Sequence, residues 1–134
     1  MVYHEMLSVQ TRERIHLADI SRFIGDIVKK CGLRSGIVSL CSQHTTAGIT
    51  INENADPDVC RDLAWKLSQM VPRDDAYRHG EGNSDSHVKA SIVGHSVQVP
   101  VQDGRLVLGT WQAIYLCEFD GPRNRRVSVT AIGE

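Results

Sequence analysis

Two β-rich runs flank the dipeptide Asp103-Gly104 in the stretch SVQVPVQDGRLVL, and this pair constrains the fold more than any other feature of the 134-residue chain. Asp-Gly between β-rich runs is a strong signal for a tight hairpin turn, so the two runs are predicted to pair antiparallel. Two further runs, TWQAIYLCEFDG and RRVSVTAI, follow and are predicted to be strands. Short connections of this kind exclude the crossovers that a parallel sheet requires.

The first half of the chain is predicted to contain four more strands and a helix. The strands are VYHEMLSVQ, RERIHLAD, GIVSLCSQ and GITINE. Between the second and third of them, apolar residues recur at helical spacing: Ile20, Phe23, Ile24, Ile27, Val28 and Cys31. This stripe predicts an amphipathic helix that Asp19 caps and Gly32 ends.

Two more helices are predicted after the fourth strand. In NADPDVCRDLAWKLSQMVP, Asp56 before Pro57 is typical of an N-cap and a first turn. The inward face of this helix is predicted to comprise Val59, Leu63, Leu67 and Met70, and Pro72 ends it. The stretch SHVKASIVG predicts a short helix closed by Gly94.

The predicted order of elements is therefore β-β-α-β-β-α-α-β-β-β-β. Consecutive strands with helices grouped between them favour an α+β fold with mainly antiparallel, sandwich-like sheets, two longer helices and one short helix. The polar stretch at 73–86 lacks apolar periodicity and is predicted to be a surface loop. A chain of this length can bury one core, so residues 1–134 are predicted to form a single compact domain.

Composition argues against several classes of partner. The net charge is −1 and the only basic cluster is PRNRR, so no nucleic-acid partner is expected. No apolar run reaches the length of a membrane span, so no membrane partner is expected. The first residues lack a secretion-signal pattern and the four cysteines form no CxxC pair, which predicts reduced thiols and a cytoplasmic protein.

Three polar clusters fall at the ends of predicted elements, where loops commonly hold functional groups. The first surrounds the short strand GITI and contains His44, Thr45, Thr46, Glu53 and Asn54. The second lies around the start of the third helix and contains Asp85, His87, Lys89 and Ser91. The third lies at a strand end and contains Glu118, Asp120, Arg123 and Arg125. A strand holds its ends apart, so His44 and Glu53 are expected to face different partners, including residues of another subunit.

Histidine and carboxylate chemistry is the strongest functional signal. His44 and His87 are candidate acid/base groups, because histidine changes charge near neutral pH and is the commonest metal ligand. With Glu53 or Glu118 they form a candidate site for a divalent metal, Zn²⁺ or Mg²⁺. The structural alternative stays open for each histidine.

Glu118 and Asp120 lie two residues apart on one strand, so they point to the same face. Such a pair repels unless a proton, a metal or an arginine separates the charges. Ion pairs with Arg123 or Arg125 are the simpler interpretation, and catalysis by the carboxylates is the alternative. Hydroxyls and backbone N–H groups in HTTAG and KASIVGHS are weak signals for phosphate binding.

The blocks HTTAGITINENADPDV and DSHVKASIVGHSVQVPVQDGRLVLGTWQAIYLCEFDGPRNRR resemble the YjbQ family, described as secondary thiamine-phosphate synthases. The resemblance covers nearly the whole chain and is least marked at 73–86. It implies a compact α+β fold, a homotrimer, and an enzyme that joins hydroxymethylpyrimidine pyrophosphate to thiazole phosphate with release of pyrophosphate. The family's motif residues fall here on His44, Thr45, Glu53, Asn54, His87, Ser91, Gln112, Glu118, Asp120 and Arg123.

These observations assign provisional roles to twelve residues. The predicted catalytic residues are His44, His87, Glu53, Glu118 and Asp120, and the first two are also the predicted metal ligands. The predicted substrate-binding residues are Thr45, Thr46, Asn54, Lys89, Ser91, Gln112 and Arg123. The expected partner is a small phosphorylated substrate, in a pocket where the three clusters converge across a subunit boundary. A trimer that binds a metal or a phosphorylated ligand without turnover, and a purely structural trimer, are the alternatives.

Overall fold

The computed structural model describes residues 1–134 and contains the eight strands and three helices in the predicted order. The strands are β1 Val2–Gln10, β2 His16–Asp19, β3 Ser35–Ser42, β4 Ala47–Glu53, β5 Ser96–Gln102, β6 Arg105–Leu106, β7 Gln112–Glu118 and β8 Asn124–Gly133. The helices are α1 Ser21–Cys31, α2 Pro57–Met70 and α3 Ser84–Val93. None of the helices is both long and apolar enough to cross a bilayer.

Every strand pairing is antiparallel, which confirms the predicted α+β class. One sheet has the order β1-β8-β3-β5-β6 and the other has the order β2-β7-β4. The hairpin at Asp103-Gly104 joins β5 to β6, and both turn residues have the positive φ that a tight hairpin turn requires.

The main core lies between the two sheets and α1. Ile24, Ile27 and Val28 of α1 are buried there with Val38, Leu40, Val127, Val129, Ile114 and Leu116. A second cluster, on the opposite face of β7, comprises Ala90, Ala113, Tyr115, Cys117 and Phe119. Strand β7 is therefore covered on both faces, which explains its unbroken apolar sequence AIYLC. All four cysteines are free.

The helix ends follow local sequence signals with two differences. Asp56 caps α2 by accepting from the Asp58 amide, and Gly32 ends α1 with φ +75°. Asp19 accepts from the Ser21 amide, although Ile20 occupies the cap position itself. Helix α3 has ten residues and is the shortest of the three, and it begins at Ser84, two residues before the predicted stretch.

Helix α2 is only partly covered by the rest of the chain. No residue of α2 is fully buried; Val59, Leu63 and Leu67 are half-buried, as expected for an inward face. Met70 is 60% exposed, so its assignment to that face was wrong.

The end of α3 approaches strand β4 closely because residue 48 is glycine. The Ile49 amide donates to the Gly94 carbonyl over 2.9 Å, and a Cβ at Gly48 would lie 2.5 Å from the same oxygen. This contact fixes α3, which carries His87, against the strand that follows His44.

Substitution of Gly48 by alanine is expected to lower the free energy of unfolding by about 1–3 kcal/mol, because the backbone of Gly94 must move. Urea denaturation measures the change. Gly25→Ala in α1 is the matched control: no atom lies within 4 Å of the added Cβ, and alanine favours the helix. Equal losses in the two variants would contradict the proposed close packing.

Candidate functional site

Two adjoining cavities lie where the loop after β3, the start of α3 and the turn after β7 meet. The polar cavity, of about 350 Å³, is lined by Gln43, His44, Thr45, Thr46, Glu81, Asn83, His87, Asp120, Arg123 and Arg125. The histidine cavity, of about 390 Å³, is lined by His44, Thr45, Ala47, His87, Ala90, Ser91 and His95. His44, Thr45 and His87 line both cavities, so residues from all three sequence clusters meet within one chain.

The ring of His44 is held by the backbone of β8. The Arg126 amide donates to His44 Nε2 over 2.8 Å, while His44 Nδ1 makes no hydrogen bond within the chain. Burial, followed by the positive charge of Arg125, lowers the pKa of His44 below its ordinary value. The imidazole is therefore neutral at neutral pH.

The ring of His87 is less restrained. Neither of its nitrogens has a hydrogen-bond partner, and its nearest aromatic neighbour is His79, whose ring centre lies 5.3 Å away in an edge-to-face arrangement. His87 also lines a third cavity, of about 290 Å³, together with Tyr77, His79 and Val88. Its nitrogens remain available to exchange protons with a ligand.

Glu118 is fully buried and forms an ion pair with Arg125, which is 3% exposed. Its Oε1 accepts from Arg125 Nε over 2.8 Å and from Thr11 Oγ1 over 2.7 Å. Its Oε2 accepts from Arg125 Nη2 and from the Asp120 amide. Burial opposes ionisation, but these hydrogen bonds outweigh it and lower the pKa of Glu118. The predicted catalytic role of Glu118 needs correction, because the carboxylate is enclosed and its oxygens are occupied.

Asp120 lines the polar cavity with one of its two carboxylate oxygens already paired within the chain. Its Oδ2 accepts from Asn83 Nδ2 over 2.8 Å and from Arg123 Nη2 over 2.9 Å. Burial alone would raise the pKa of Asp120. The hydrogen bonds from Asn83 and Arg123 outweigh this effect and lower the pKa, so the carboxylate stays ionised. Asn83 Oδ1 is buried without a partner. The two same-face carboxylates are thus each paired with an arginine, as the ion-pair interpretation proposed.

Lys89 does not reach either cavity. Its side chain is 2% exposed and its Nζ donates to Asp85 Oδ2 over 2.8 Å. Arg14 donates to the other oxygen of Asp85 over 3.0 Å. Lys89 therefore neutralises a buried carboxylate inside α3, and its predicted substrate-binding role needs correction.

The hydroxyl residues differ in what they can still bind. Thr45 is exposed and makes no side-chain hydrogen bond, so it is free for a ligand. Thr46 Oγ1 accepts from Arg125 Nη2 over 2.8 Å and so helps to position the guanidinium. Ser91 donates to the His87 carbonyl over 2.9 Å, leaving its oxygen as an acceptor at the cavity wall.

Glu53, Asn54 and Gln112 lie at the other end of the small sheet. Strand β4 has seven residues, which separates its ends by about 20 Å. Glu53 pairs with Gln112 across the strands, and the Asn54 amide donates to the Trp111 carbonyl. These residues line neither cavity of their own chain, and Trp111 beside them is 61% exposed.

Several residues that line the cavities were not predicted to belong to the site. Arg125 was predicted only as an ion-pair partner, while His79, Asn83 and His95 were not among the predicted site residues. The signal for Arg125 was its position two residues from Arg123, but its orientation depends on Thr46, which is 79 residues away. No group of three or more His, Cys, Asp or Glu side chains is arranged to hold a metal ion.

The buried ion pair predicts how stability depends on acid. Because the folded pKa of Glu118 is below the unfolded value, its contribution is present above about pH 4.5 and is lost as pH falls through the folded pKa. Glu118→Gln is expected to lower the free energy of unfolding by about 3 kcal/mol at pH 7 and to weaken its dependence on acid.

Chemical denaturation from pH 7 to pH 3 measures this effect. Asp58→Asn is the matched control, since the Asp58–Arg61 pair is exposed and is expected to contribute less than about 1 kcal/mol. Equal losses for the two substitutions would show that the Glu118–Arg125 pair does not support the fold.

Comparison with known proteins places the chain among relatives of the same length. The sequence model described as "UPF0047 protein YjbQ-like" matches residues 5–134. The UPF0047 protein YugU of Bacillus subtilis is 46% identical over 128 residues, which are 95% of this chain and 97% of YugU. A YjbQ/UPF0047-family structure from Clostridium acetobutylicum has a TM-score of 0.94 at 46% identity, covering 96% of this chain and 99% of that one. A YbjQ-like structure from Sulfolobus solfataricus has a TM-score of 0.95 at 34% identity, covering 100% and 99%. The chain therefore belongs to the YjbQ-like UPF0047 family.

Proposed function

We propose that the chain is an enzyme that binds a phosphorylated small molecule in the polar cavity. The observation that carries this proposal is the arrangement of Arg123, in the turn after β7, and Arg125, near the start of β8, which both line the cavity. Each guanidinium uses Nε and Nη2 within the chain and leaves Nη1 without a partner. Guanidinium N–H groups held in this way match the oxygens of a phosphate.

The cavity has no net charge from its two ion pairs, so it would recognise a ligand through directed hydrogen bonds and not through long-range electrostatic attraction. Arg123 and Arg125 are paired with Asp120 and Glu118, so the four charges cancel. Arg125 is held rigidly by its buried partners, whereas the Arg123 side chain is 53% exposed and can adjust. A ligand phosphate would therefore be recognised by the geometry of the free Nη1 groups and the Thr45 hydroxyl.

The family resemblance supports thiamine-phosphate synthesis as the specific reaction. In that reaction the thiazole nitrogen forms a bond to the methylene carbon of the pyrimidine while the C–O bond to pyrophosphate breaks. The bonding electrons leave with pyrophosphate, so donors that stabilise its developing charge lower the barrier. Arg123 and Arg125 would hold that group, and His87 would donate a proton to it. Cavities of about 350–390 Å³ fall within the usual range for small substrates.

A divalent metal remains part of the proposal. The predicted Zn²⁺ or Mg²⁺ site at His44 and His87 has no third protein ligand nearby. Mg²⁺ commonly binds through one or two carboxylates together with substrate phosphates, so it would enter with the pyrophosphate group.

Self-association as a homotrimer is also proposed. Arg105 and Arg126 are charged on the outward face of the large sheet, but twelve other positions there carry no formally charged residue: Val2, His4, Met6, Ile37, Ser39, Cys41, Ser96, Gln98, Pro100, Ser128, Thr130 and Ile132. Val2 is 62% exposed and Ile132 is 51% exposed, and they pair directly across β1 and β8. Depletion of charge on an exposed sheet face is typical of the centre of an interface. The number of subunits comes from the family resemblance.

Assay of the purified chain with hydroxymethylpyrimidine pyrophosphate and thiazole phosphate tests the reaction. His87→Ala is expected to lower kcat by about 10²-fold or more, the usual contribution of a positioned acid. Arg123→Ala is expected to raise KM by about tenfold through loss of a charged hydrogen bond. Arg61→Ala, on the exposed face of α2, is the control and should change neither value.

The same assay separates the alternatives. Pyrophosphate binding by calorimetry without product formation would favour a ligand-binding protein. Loss of activity on addition of a chelator, restored by Mg²⁺ or Zn²⁺, would establish the metal. A rate that is unchanged in His87→Ala would remove His87 from the mechanism.

Subunit mixing tests whether Glu53 completes the cavity of a neighbouring subunit. Glu53→Ala and His87→Ala chains, unfolded together and refolded at equal concentration, should recover about a quarter of wild-type activity, since one site in four then has both residues. His44→Ala mixed with His87→Ala is the control and should not recover, because these residues line one cavity of one chain. Recovery that is no greater in the first mixture than in the control would exclude the shared site.

A further inference from the structure

We propose that His44 acts as a neutral histidine whose Nδ1–H is a fixed hydrogen-bond donor into the polar cavity, and that it is neither a metal ligand nor a general base. This inference rests on the proposed function in one respect: the oxygen that accepts the bond belongs to the phosphorylated ligand. The geometry of the ring is independent of any ligand.

One hydrogen bond to the backbone of β8 holds the ring, and a second holds the loop that carries it. The Arg126 amide donates to His44 Nε2 over 2.8 Å, and the Gln43 amide donates to the Arg126 carbonyl over 3.1 Å. The His44 amide itself faces Ser42 Oγ at 3.3 Å. Rotation of the imidazole would leave the Arg126 amide without its partner.

These contacts select one tautomer. An amide N–H can donate only to a ring nitrogen that carries a lone pair, so Nε2 is unprotonated and Nδ1 carries the hydrogen. Nδ1 has no partner within the chain, and the side chain lines both the polar and the histidine cavity. His44 therefore presents an N–H group to whatever occupies the cavity.

The same contacts are incompatible with two other functions of His44, metal binding and general-base catalysis. A histidine ligand binds metal through one nitrogen and donates from the other to an acceptor. Here the second nitrogen would face the Arg126 N–H, which is a donor. A general base requires a free lone pair, and the only lone pair of His44 is already occupied.

The surrounding charges oppose the imidazolium form. Arg125, Arg123 and Arg126 disfavour a positive charge on His44, whereas Glu118 favours one. His87 from α3 and Glu81 from the preceding loop also line the cavity. Burial is the largest effect and acts in the same direction as the arginines. A neutral imidazole N–H can polarise an oxygen without losing its proton, so proton transfer would fall to His87.

Nitrogen-15 NMR of the histidine rings in the ligand-free wild-type chain tests the tautomer directly, with His44→Phe identifying the signals. The expected result at pH 7 is a protonated Nδ1 and an unprotonated Nε2 for His44, unchanged on addition of Zn²⁺. A protonated Nε2, an imidazolium ring, or a shift of the His44 signals by stoichiometric Zn²⁺ would overturn the inference.

Titration with inorganic pyrophosphate tests the donor function. His44→Gln keeps an acceptor for the Arg126 amide and an N–H for the cavity, so its Kd should remain within about threefold of wild type. His44→Phe should weaken binding by about tenfold or more through loss of a hydrogen bond to a charged group. Equal losses for Gln and Phe would contradict the donor function. Failure of the wild-type chain to bind pyrophosphate would count against the proposed function, while the NMR result would still decide the state of the ring.

Discussion

The ion pair between Glu118 and Arg125 joins the two sheets at the point where the cavity forms. Glu118 is the last residue of β7 in the small sheet, and Arg125 is the second residue of β8 in the large one. Removing two charges from water is costly, and such a pair is tolerated only when further hydrogen bonds satisfy both groups. Thr11, Thr46 and the Asp120 amide supply those bonds. The loop that carries His44 and the turn that carries Arg123 are therefore fixed to the same buried charges.

Helix α3 depends on a second buried ionic cluster. Asp85 is fully buried and accepts from Lys89 on its own helix and from Arg14 between β1 and β2. Ser86 donates to the Phe119 carbonyl over 2.6 Å, which attaches the first turn of α3 to the end of β7. These polar contacts fix helix α3 and thereby position His87. A helix held only by apolar packing would rotate and slide more easily.

Sequence predicted the features that local chemistry controls. The hairpin at Asp103-Gly104 and the cap at Asp56 involve neighbouring residues, so their structures follow from a few side chains. The burial of Lys89 and Glu118 could not be predicted in the same way, because Arg14 lies 71 residues from Asp85 and Thr11 lies 107 residues from Glu118. The convergence of His44 and His87 was expected within a shared pocket, and the separation of Glu53 from His44 followed from the length of the strand. The position of Gln112 beside Glu53 depends on the pairing of β4 with β7. The site therefore depends on contacts between residues that are far apart in sequence, and only the tertiary fold specifies such contacts.

The hydrogen bond from the Arg126 amide to His44 does not depend on the side chain at position 126. The donor belongs to the main chain, so every amino acid except proline supplies it equally well. A substitution at position 126 therefore keeps the hydrogen bond that selects the tautomer of the imidazole. A comparison of aligned side chains would therefore overlook the group that sets the tautomer of His44. An engineer who replaces Arg126 would keep this hydrogen bond and would remove only one of the charges that disfavour the imidazolium form.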